Sequence, residues 1–153
     1  MYCYKYPHPA VTADCVVFNK NDDTTKILLI KRKNEPFKDN WALPGGFINI
    51  DESAEDAAIR ELKEETGLEV PSIEQLKAYS NPNRDPRERI ITIVFMAESK
   101  CNDVKGGDDA KEAKWFDTSN LPPLAFDHET ILQDALERIR MNSRINNKNR
   151  GCF

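Results

Sequence analysis

The apolar residues of this chain recur with a period of two in several short segments, which is the pattern of strands. Alternating or continuous apolar runs, rich in β-branched residues and bounded by turn residues, predict strands at 11–18, 26–32, 73–79, 89–97 and 112–116. The polar stretch at 19–25 predicts a hairpin loop. The stretches at 81–89, with two prolines, and 101–109, with two glycines, predict longer connections.

Two segments have the period of a helix instead. The first begins near Ser53, where Asp56 three residues later approximates a capping box, and ends at Gly67, a residue typical of a helix C-terminus. The second covers 129–141 and has Asp127 as its predicted N-cap. Its apolar residues fall on one helical face, which predicts packing against a core: Ile131, Leu132, Ala135, Leu136 and Ile139.

Length and composition then limit the class of protein. A chain of 153 residues predicts one domain, which we place at 1–141, followed by a polar C-terminal tail at 142–153 that frays. Apolar runs reach only about four or five residues, so no membrane-spanning segment is predicted. The first residues lack the apolar core of a secretory signal, and we therefore expect a cytoplasmic protein.

Charge and cysteine content exclude further classes. Lys and Arg number 22 against 26 Asp and Glu, a net charge of −4, which argues against a nucleic-acid partner. An anionic substrate would need metal ions or local arginines to bind. The four cysteines show no C-x-x-C spacing and only two histidines are present, so we predict reduced thiols and no zinc site.

The first predicted helix carries an unusual group of acids. Glu61, Glu64 and Glu65 are spaced i, i+3, i+4, which places them within about 100° of one another around the helix. Like charges in this arrangement repel unless a cation lies among them, and carboxylate oxygens suit Mg²⁺ or Mn²⁺. The alternative is an ordinary solvated acidic face.

Residues 46–68 read GFINIDESAEDAAIRELKEETGL. This segment resembles the Nudix hydrolase signature, G-x5-E-x7-R-E-U-x-E-E-x-G-U with U aliphatic, and it fills each specified position. The preceding LPGG and the later LPPLAFDH are also similar to that family. The resemblance implies an α/β fold, an α/β/α sandwich with a mixed β-sheet between helices. It also implies divalent-metal-dependent hydrolysis of a nucleoside diphosphate linked to another moiety.

The resemblance also implies roles for particular residues. Glu61, Glu64 and Glu65 would bind the metal ion, Mg²⁺ or else Mn²⁺, together with the carbonyl of Gly45, and Glu64 and Glu65 would thereby be catalytic. Arg60 and Glu52 would form a supporting ion pair. A further acid, acting as metal ligand or general base, would come from Asp109 or, as the second choice, Glu112; both could equally be surface residues of a loop.

The segment at 79–87, YSNPNRDPR, resembles one subgroup of ADP-ribose pyrophosphatases. That resemblance makes Arg84 and Arg87 candidates for substrate binding, with solvated arginines as the alternative. It implies cleavage of ADP-ribose to AMP and ribose 5-phosphate. Another nucleotide derivative as substrate, or a non-catalytic ADP-ribose sensor, remain alternatives. Related enzymes are often homodimers, so a homodimer is possible here.

An adenine base would need an aromatic platform. Phe37, Trp41, Phe47 and Phe95 are available for it, but each is better interpreted as a core residue. His128 has no predicted role.

Overall fold

A mixed β-sheet forms the centre of the protein. In the computed structural model, which describes residues 1–21, 23–107 and 110–149, seven strands belong to this one sheet. In chain order the strands are β1 (Ala10–Lys20), β2 (Thr25–Arg32), β3 (Trp41–Ala42), β4 (Gly45–Phe47), β5 (Glu74–Tyr79), β6 (Ile90–Glu98) and β7 (Ala110–Asp117). The two helices are α1 (Ala54–Thr66), between β4 and β5, and α2 (His128–Asn149), after β7.

β1 lies at the middle of the sheet and contacts three other strands. It runs parallel to β6 and antiparallel to both β2 and β4. The hairpin to β2 uses the end of β1, at Phe18, whereas β4 pairs with its first half, where Asp14 lies opposite Gly45. The start of β1 is therefore joined to the short strand that leads into α1.

Alternate residues of β1 pack on opposite faces of the sheet. Val16 and Phe18 belong to a core cluster that contains Ile131 and Leu132 of α2. Cys15 and Val17 belong to a second cluster that contains residues of α1: Ala57, Ala58 and Leu62. The period-two pattern of the strand thus buries both of its faces. The two helices cover opposite faces, so the predicted α/β/α sandwich is confirmed.

The predicted elements agree with the structure with one clear exception. All five predicted strands form, and α1 has Ser53 as N-cap and Gly67 in the left-handed conformation at φ 72° as C-cap. The very short strands β3 and β4 were not predicted, because two or three residues show no periodicity.

The predicted end of the last helix at residue 141 is wrong. α2 continues to Asn149, so the prediction of a frayed tail fails for 142–149, and residues 150–153 lie outside the described part of the chain. Arg and Lys are good helix formers, Asn and Ser are only moderately unfavourable in a helix, and no Gly or Pro interrupts the segment. The apolar pattern showed where the helix leaves the core, not where it ends. Within the described ranges, neither helix has the length and apolar character needed to cross a membrane.

Candidate active site

A cleft of about 320 Å³ opens where β1, β4 and α1 meet the connection between β5 and β6. Its volume is at the lower end of the range for ligand pockets. Two chemically different groups of side chains line the cleft. The carboxylates of β1 and α1 form one group, which we call the acidic end, and arginine and aromatic side chains form the other.

Three carboxylates approach the Gly45–Gly46 backbone at the acidic end. The Gly45 N–H donates to Glu65 Oε2 at 3.0 Å. A Cβ on Gly45 would overlap the Asp14 carboxylate and lie 2.5 Å from the Ala13 carbonyl oxygen. A Cβ on Gly46 would lie 2.5 Å from the carboxyl carbon of Glu61. Only glycine allows the carboxylates this close to the chain.

Arg60 connects the acidic helix to the segment before it. Its guanidinium donates to Glu52 from Nε at 2.9 Å and Nη2 at 2.5 Å, and also to the Phe47 carbonyl at 3.1 Å. Nη1 donates to Glu61 at 2.7 Å and Glu64 at 3.2 Å. The predicted Glu52–Arg60 ion pair is therefore confirmed. The hydrogen bonds from Arg60 lower the pKa of Glu52 to about 2, and they raise the pKa of Arg60.

The donor set at this end fits a hard divalent cation. It consists of carboxylate oxygens held beside a glycine backbone, the ligand type that Mg²⁺ and Mn²⁺ prefer. In the described residues, no three His, Cys, Asp or Glu side chains are already grouped as a metal cluster. Arg60 instead contacts Glu61 and Glu64. A metal ion at this end would therefore have to compete with the Arg60 guanidinium for those two carboxylates.

The other end of the cleft is built around Arg87. Its Nε and Nη2 donate to Asp85 at 3.0 and 2.8 Å. Its guanidinium carbon lies 5.2 Å from the Phe47 ring and 5.3 Å from the Phe126 ring, within cation–π distance of both. Burial alone would raise the pKa of Asp85, but the hydrogen bonds from Arg87 outweigh it and lower that pKa. Arg87 is thus held rigidly in the cleft.

Arg84 also lines the cleft but is largely committed to the fold. Its Nε and Nη2 donate to Asp127 at 2.9 and 2.7 Å, and 4% of its side chain is exposed. This buried ion pair joins the β5–β6 connection to the start of α2. The Asp127 carbonyl accepts from the Ile131 N–H, as expected of an N-cap. The Asp127 carboxylate accepts from Arg84 instead of capping the helix. Substrate binding by Arg84 stays a prediction.

The start of α2 contributes two residues that the sequence analysis did not place in the site, Phe126 and His128. Phe126 has a left-handed backbone at φ 53°, and its ring packs against Phe37 at 4.8 Å and against the Arg32 guanidinium at 4.9 Å. The Leu43 N–H donates to His128 Nδ1 at 3.0 Å. Burial lowers the pKa of His128, so its ring is neutral.

Asp14 is the third residue that was missed, and for it a signal existed. It is the one charged residue within the predicted strand 11–18, and it is buried in the lining of the cleft. Thr92 Oγ1 donates to its Oδ2. An acid on a buried strand is rarely tolerated without a partner, and here it indicates a site.

The remaining predicted residues lie at the edge of this arrangement or beyond it. Glu64 and Glu112 are both exposed and neither lines the cleft; Glu64 contacts Arg60 on α1, and Glu112 lies on β7. Asp109 lies outside the described residues. The connection that carries it is attached to α1, because the Gly107 N–H donates to the Glu65 carbonyl at 3.1 Å.

The four candidate aromatic residues divide into two groups. Phe95 is 1% exposed, and Trp41 packs on the core next to Phe116. Phe37 and Phe47 are 36% and 43% exposed. The core interpretation therefore holds for the first pair only.

Comparison with known proteins agrees with this geometry. Residues 8–135 match the NUDIX domain, so the chain belongs to the Nudix family, whose members generally use divalent metal ions. An ADP-ribose pyrophosphatase of Methanocaldococcus jannaschii is 54% identical over 132 residues, which cover 86% of this chain and 75% of that enzyme.

Two relatives are linked to ADP-ribose binding. The ADPR-responsive transcriptional repressor NtrR of Acinetobacter baylyi is 35% identical over 144 residues, 91% of this chain but only 58% of the repressor. The NUDIX domain of Shewanella oneidensis NrtR, solved as a cocrystal with ADP ribose, superimposes with a TM-score of 0.83 at 35% identity. That match covers 88% of this chain and 90% of the solved chain. The predicted family and fold are thus confirmed.

Proposed function

We propose that this protein hydrolyses ADP-ribose to AMP and ribose 5-phosphate with a bound divalent cation, Mg²⁺ or else Mn²⁺. The observation that carries the proposal is the two-ended cleft. Its acidic end brings Glu61 and Glu65 onto the Gly45–Gly46 backbone, and its other end holds Arg87 beside two aromatic rings. The acidic end suits a divalent metal ion, and the part of the cleft around Arg87 suits a pyrophosphate with its attached groups. The 54% identity with an ADP-ribose pyrophosphatase supports the substrate.

In this proposal the acidic residues hold the metal. Glu61, Glu64 and Glu65 are its carboxylate ligands, and the Gly45 carbonyl is a further ligand. When bound, a divalent cation offsets phosphate charge and lowers the pKa of a bound water. The Gly45 N–H orients Glu65, and Arg60 orients Glu61 and Glu64. Asp109 removes the proton of the attacking water, because Glu112, the second choice for this role, lies away from the cleft lining.

Arg87 binds the anionic substrate. Two of its three guanidinium nitrogens donate to Asp85, which fixes the plane of the group in the cleft. The remaining nitrogen, Nη1, is directed to a phosphate or ribose oxygen. Such a fixed donor loses little entropy on binding.

A sensor is the second candidate function. The relationship to the NtrR repressor, of which this chain spans 58%, favours it. The three carboxylates Glu61, Glu64 and Glu65, which lie together on α1, favour hydrolysis instead. Hydrolysis of another nucleoside diphosphate derivative is the alternative within the enzyme class. The cytoplasmic location, the absence of a nucleic-acid partner and the homodimer stay predictions.

The test is a product assay. The protein is incubated with ADP-ribose and Mg²⁺, and the products are separated by chromatography. We expect AMP and ribose 5-phosphate from the parent protein, and none from Glu65→Gln or in the presence of EDTA. Glu55→Gln, an exposed acid on the same helix, is the matched control and retains activity.

The other outcomes separate the alternatives. Cleavage of a different nucleotide, with ADP-ribose left intact, rejects the substrate but keeps the reaction. Tight binding of ADP-ribose with no cleavage of any nucleotide favours the sensor.

A further inference from the structure

His128 is a buried histidine in the wall of the cleft, at the first position of α2. It is 4% exposed and lies among the lining residues of the cleft. The ring is held from two sides. The Leu43 N–H donates to Nδ1 at 3.0 Å, and the Phe126 ring packs at 5.4 Å between centroids. The imidazole therefore has a fixed orientation.

The Leu43 hydrogen bond also determines where the ring proton lies. Nδ1 accepts a hydrogen bond, so the proton of the neutral ring is on Nε2. Burial favours this neutral form; Asp14 and Asp127 oppose that effect, whereas Arg84 and Arg32 add to it. His128 thus presents one N–H donor whose position is set by the fold.

No residue in the described part of the chain accepts a hydrogen bond from Nε2. Nε2 is also not fully buried. Across residues 1–21, 23–107 and 110–149, the fully buried side-chain nitrogen that lacks a hydrogen-bond partner is Trp115 Nε1, and His128 Nε2 is not in this class. The small exposed part of His128 therefore includes Nε2, and the exposed part faces the cleft. A polar side chain that is nine-tenths buried with an unused donor at a ligand cleft is suited to bind that ligand.

We propose that the His128 Nε2–H donates a hydrogen bond to an oxygen of the bound nucleotide, which makes His128 a substrate-positioning residue. The inference rests on the proposed function, because ADP-ribose supplies the phosphate and ribose oxygens that accept. Loss of the donor leaves a buried acceptor of the substrate unpaired, and this weakens binding roughly tenfold.

Two amide variants separate this role from a structural one. In His128→Asn the side-chain oxygen replaces Nδ1 and accepts from Leu43, but the Nε2 donor is lost. In His128→Gln the amide nitrogen takes the place of Nε2, but the Leu43 N–H loses its acceptor. We therefore expect the Asn variant to be close to the parent in stability and weak in binding. The Gln variant should be less stable in urea but close to the parent in binding.

Binding is measured by calorimetry with AMP and with ribose 5-phosphate, each in the presence of Mg²⁺, because neither product is hydrolysed. We expect His128→Asn to bind one of the two roughly tenfold more weakly, and this identifies the half of the substrate that His128 contacts. The KM for ADP-ribose should rise by a similar factor, with a smaller change in kcat. His8→Asn, at an exposed histidine, is the matched control and changes neither value.

The proposal is overturned if His128→Asn binds both products as the parent does, or if His128→Gln is weakened as much as His128→Asn. Failure of the proposed function is a different result. In that case the parent protein itself does not cleave ADP-ribose in the product assay.

Discussion

Arg60 donates two hydrogen bonds to Glu52 in the segment before α1, and these lower the pKa of the Glu52 carboxyl. Arg60 also donates to Phe47, Glu61 and Glu64, so its position determines the spacing of the acidic end. The Glu52 carboxylate fixes that position through two hydrogen bonds. The contribution of this pair should therefore depend on pH.

We expect the stabilising effect of Glu52 to disappear in acid. Its pKa falls from 4.5 to about 2 in the folded protein, because Arg60 and the Asn49 N–H donate to its charged form. A lowered folded-state pKa gives stability that is fully present above pH 4.5 and is lost as the pH falls towards about 2. The measurement is urea unfolding of the parent and Glu52→Gln across this pH range.

The difference in free energy of unfolding between the two proteins should be constant from pH 5 to 7 and shrink below pH 4.5. A difference that is independent of pH down to about 2 would contradict the assigned ion pair. Glu55→Gln, in the first turn of the same helix, should show no comparable change.

At this scale, sequence reasoning could identify the residues of one continuous segment. Glu61, Glu64 and Glu65 lie within five residues of α1, and helical spacing alone places them on one face. Asp14 and His128 come from distant segments. Their approach depends on the register that sets Asp14 opposite Gly45 and on the docking of α2 beside Leu43. No local pattern encodes either of these contacts.

At the scale of elements, the short strand β4 supports the site because both of its glycines are in close contact. The contacts differ in kind. A Cβ on Gly45 would meet the backbone of β1, at the Ala13 oxygen and the Asp14 Cα, whereas the three atoms nearest to a Cβ on Gly46 all belong to the Glu61 carboxylate. A backbone neighbour cannot move without disturbing the β1–β4 pairing, but a carboxylate can rotate away.

We therefore expect Gly45→Ala and Gly46→Ala to have different effects. Gly45→Ala should lower the free energy of unfolding by about 2 kcal/mol, as overpacking does. Gly46→Ala should change it by less than about 1 kcal/mol, because the Glu61 carboxylate can move aside. Moving Glu61 should in turn lower the affinity for Mn²⁺ by about tenfold or more, as Glu61→Gln does.

Urea unfolding and Mn²⁺ titration calorimetry on the same two variants check this prediction. Equal stability of the two variants would show that β4 tolerates a side chain at position 45. Undiminished Mn²⁺ affinity in Gly46→Ala would argue against Glu61 as a metal ligand.

The architecture at this scale was largely predictable. The five longer strands and α1 have the periodicity and caps that define an element by itself. β3 and β4 form because neighbouring strands pair with them, and residues 142–146 of α2 are exposed, so that no buried apolar pattern marks them. Elements that depend on tertiary pairing, or that extend into solvent, give no periodic signal.

For the whole molecule, the main difficulty is to bind an anion with an acidic protein. The net charge is −4, and Asp14, Glu61 and Glu65 lie in the cleft itself. Two of the three arginines in the cleft lining are already paired with carboxylates, Arg84 with Asp127 and Arg87 with Asp85. Repulsion of phosphate at the acidic end is therefore not cancelled by these arginines alone. A divalent cation at that end would cancel it.

We therefore expect the binding of AMP and of Mg²⁺ to be coupled. AMP should bind about tenfold or more tightly with Mg²⁺ than in EDTA at equal ionic strength, because the cation removes the repulsion between phosphate and carboxylates. Linkage requires AMP to raise the affinity for Mg²⁺ by the same factor. Calorimetric titrations in both directions measure the two factors independently. Glu65→Gln should reduce both factors together, whereas Glu55→Gln should leave both unchanged. Equal AMP affinity with and without Mg²⁺ would mean that the cleft binds phosphate through its arginines, and that the acidic end serves another purpose.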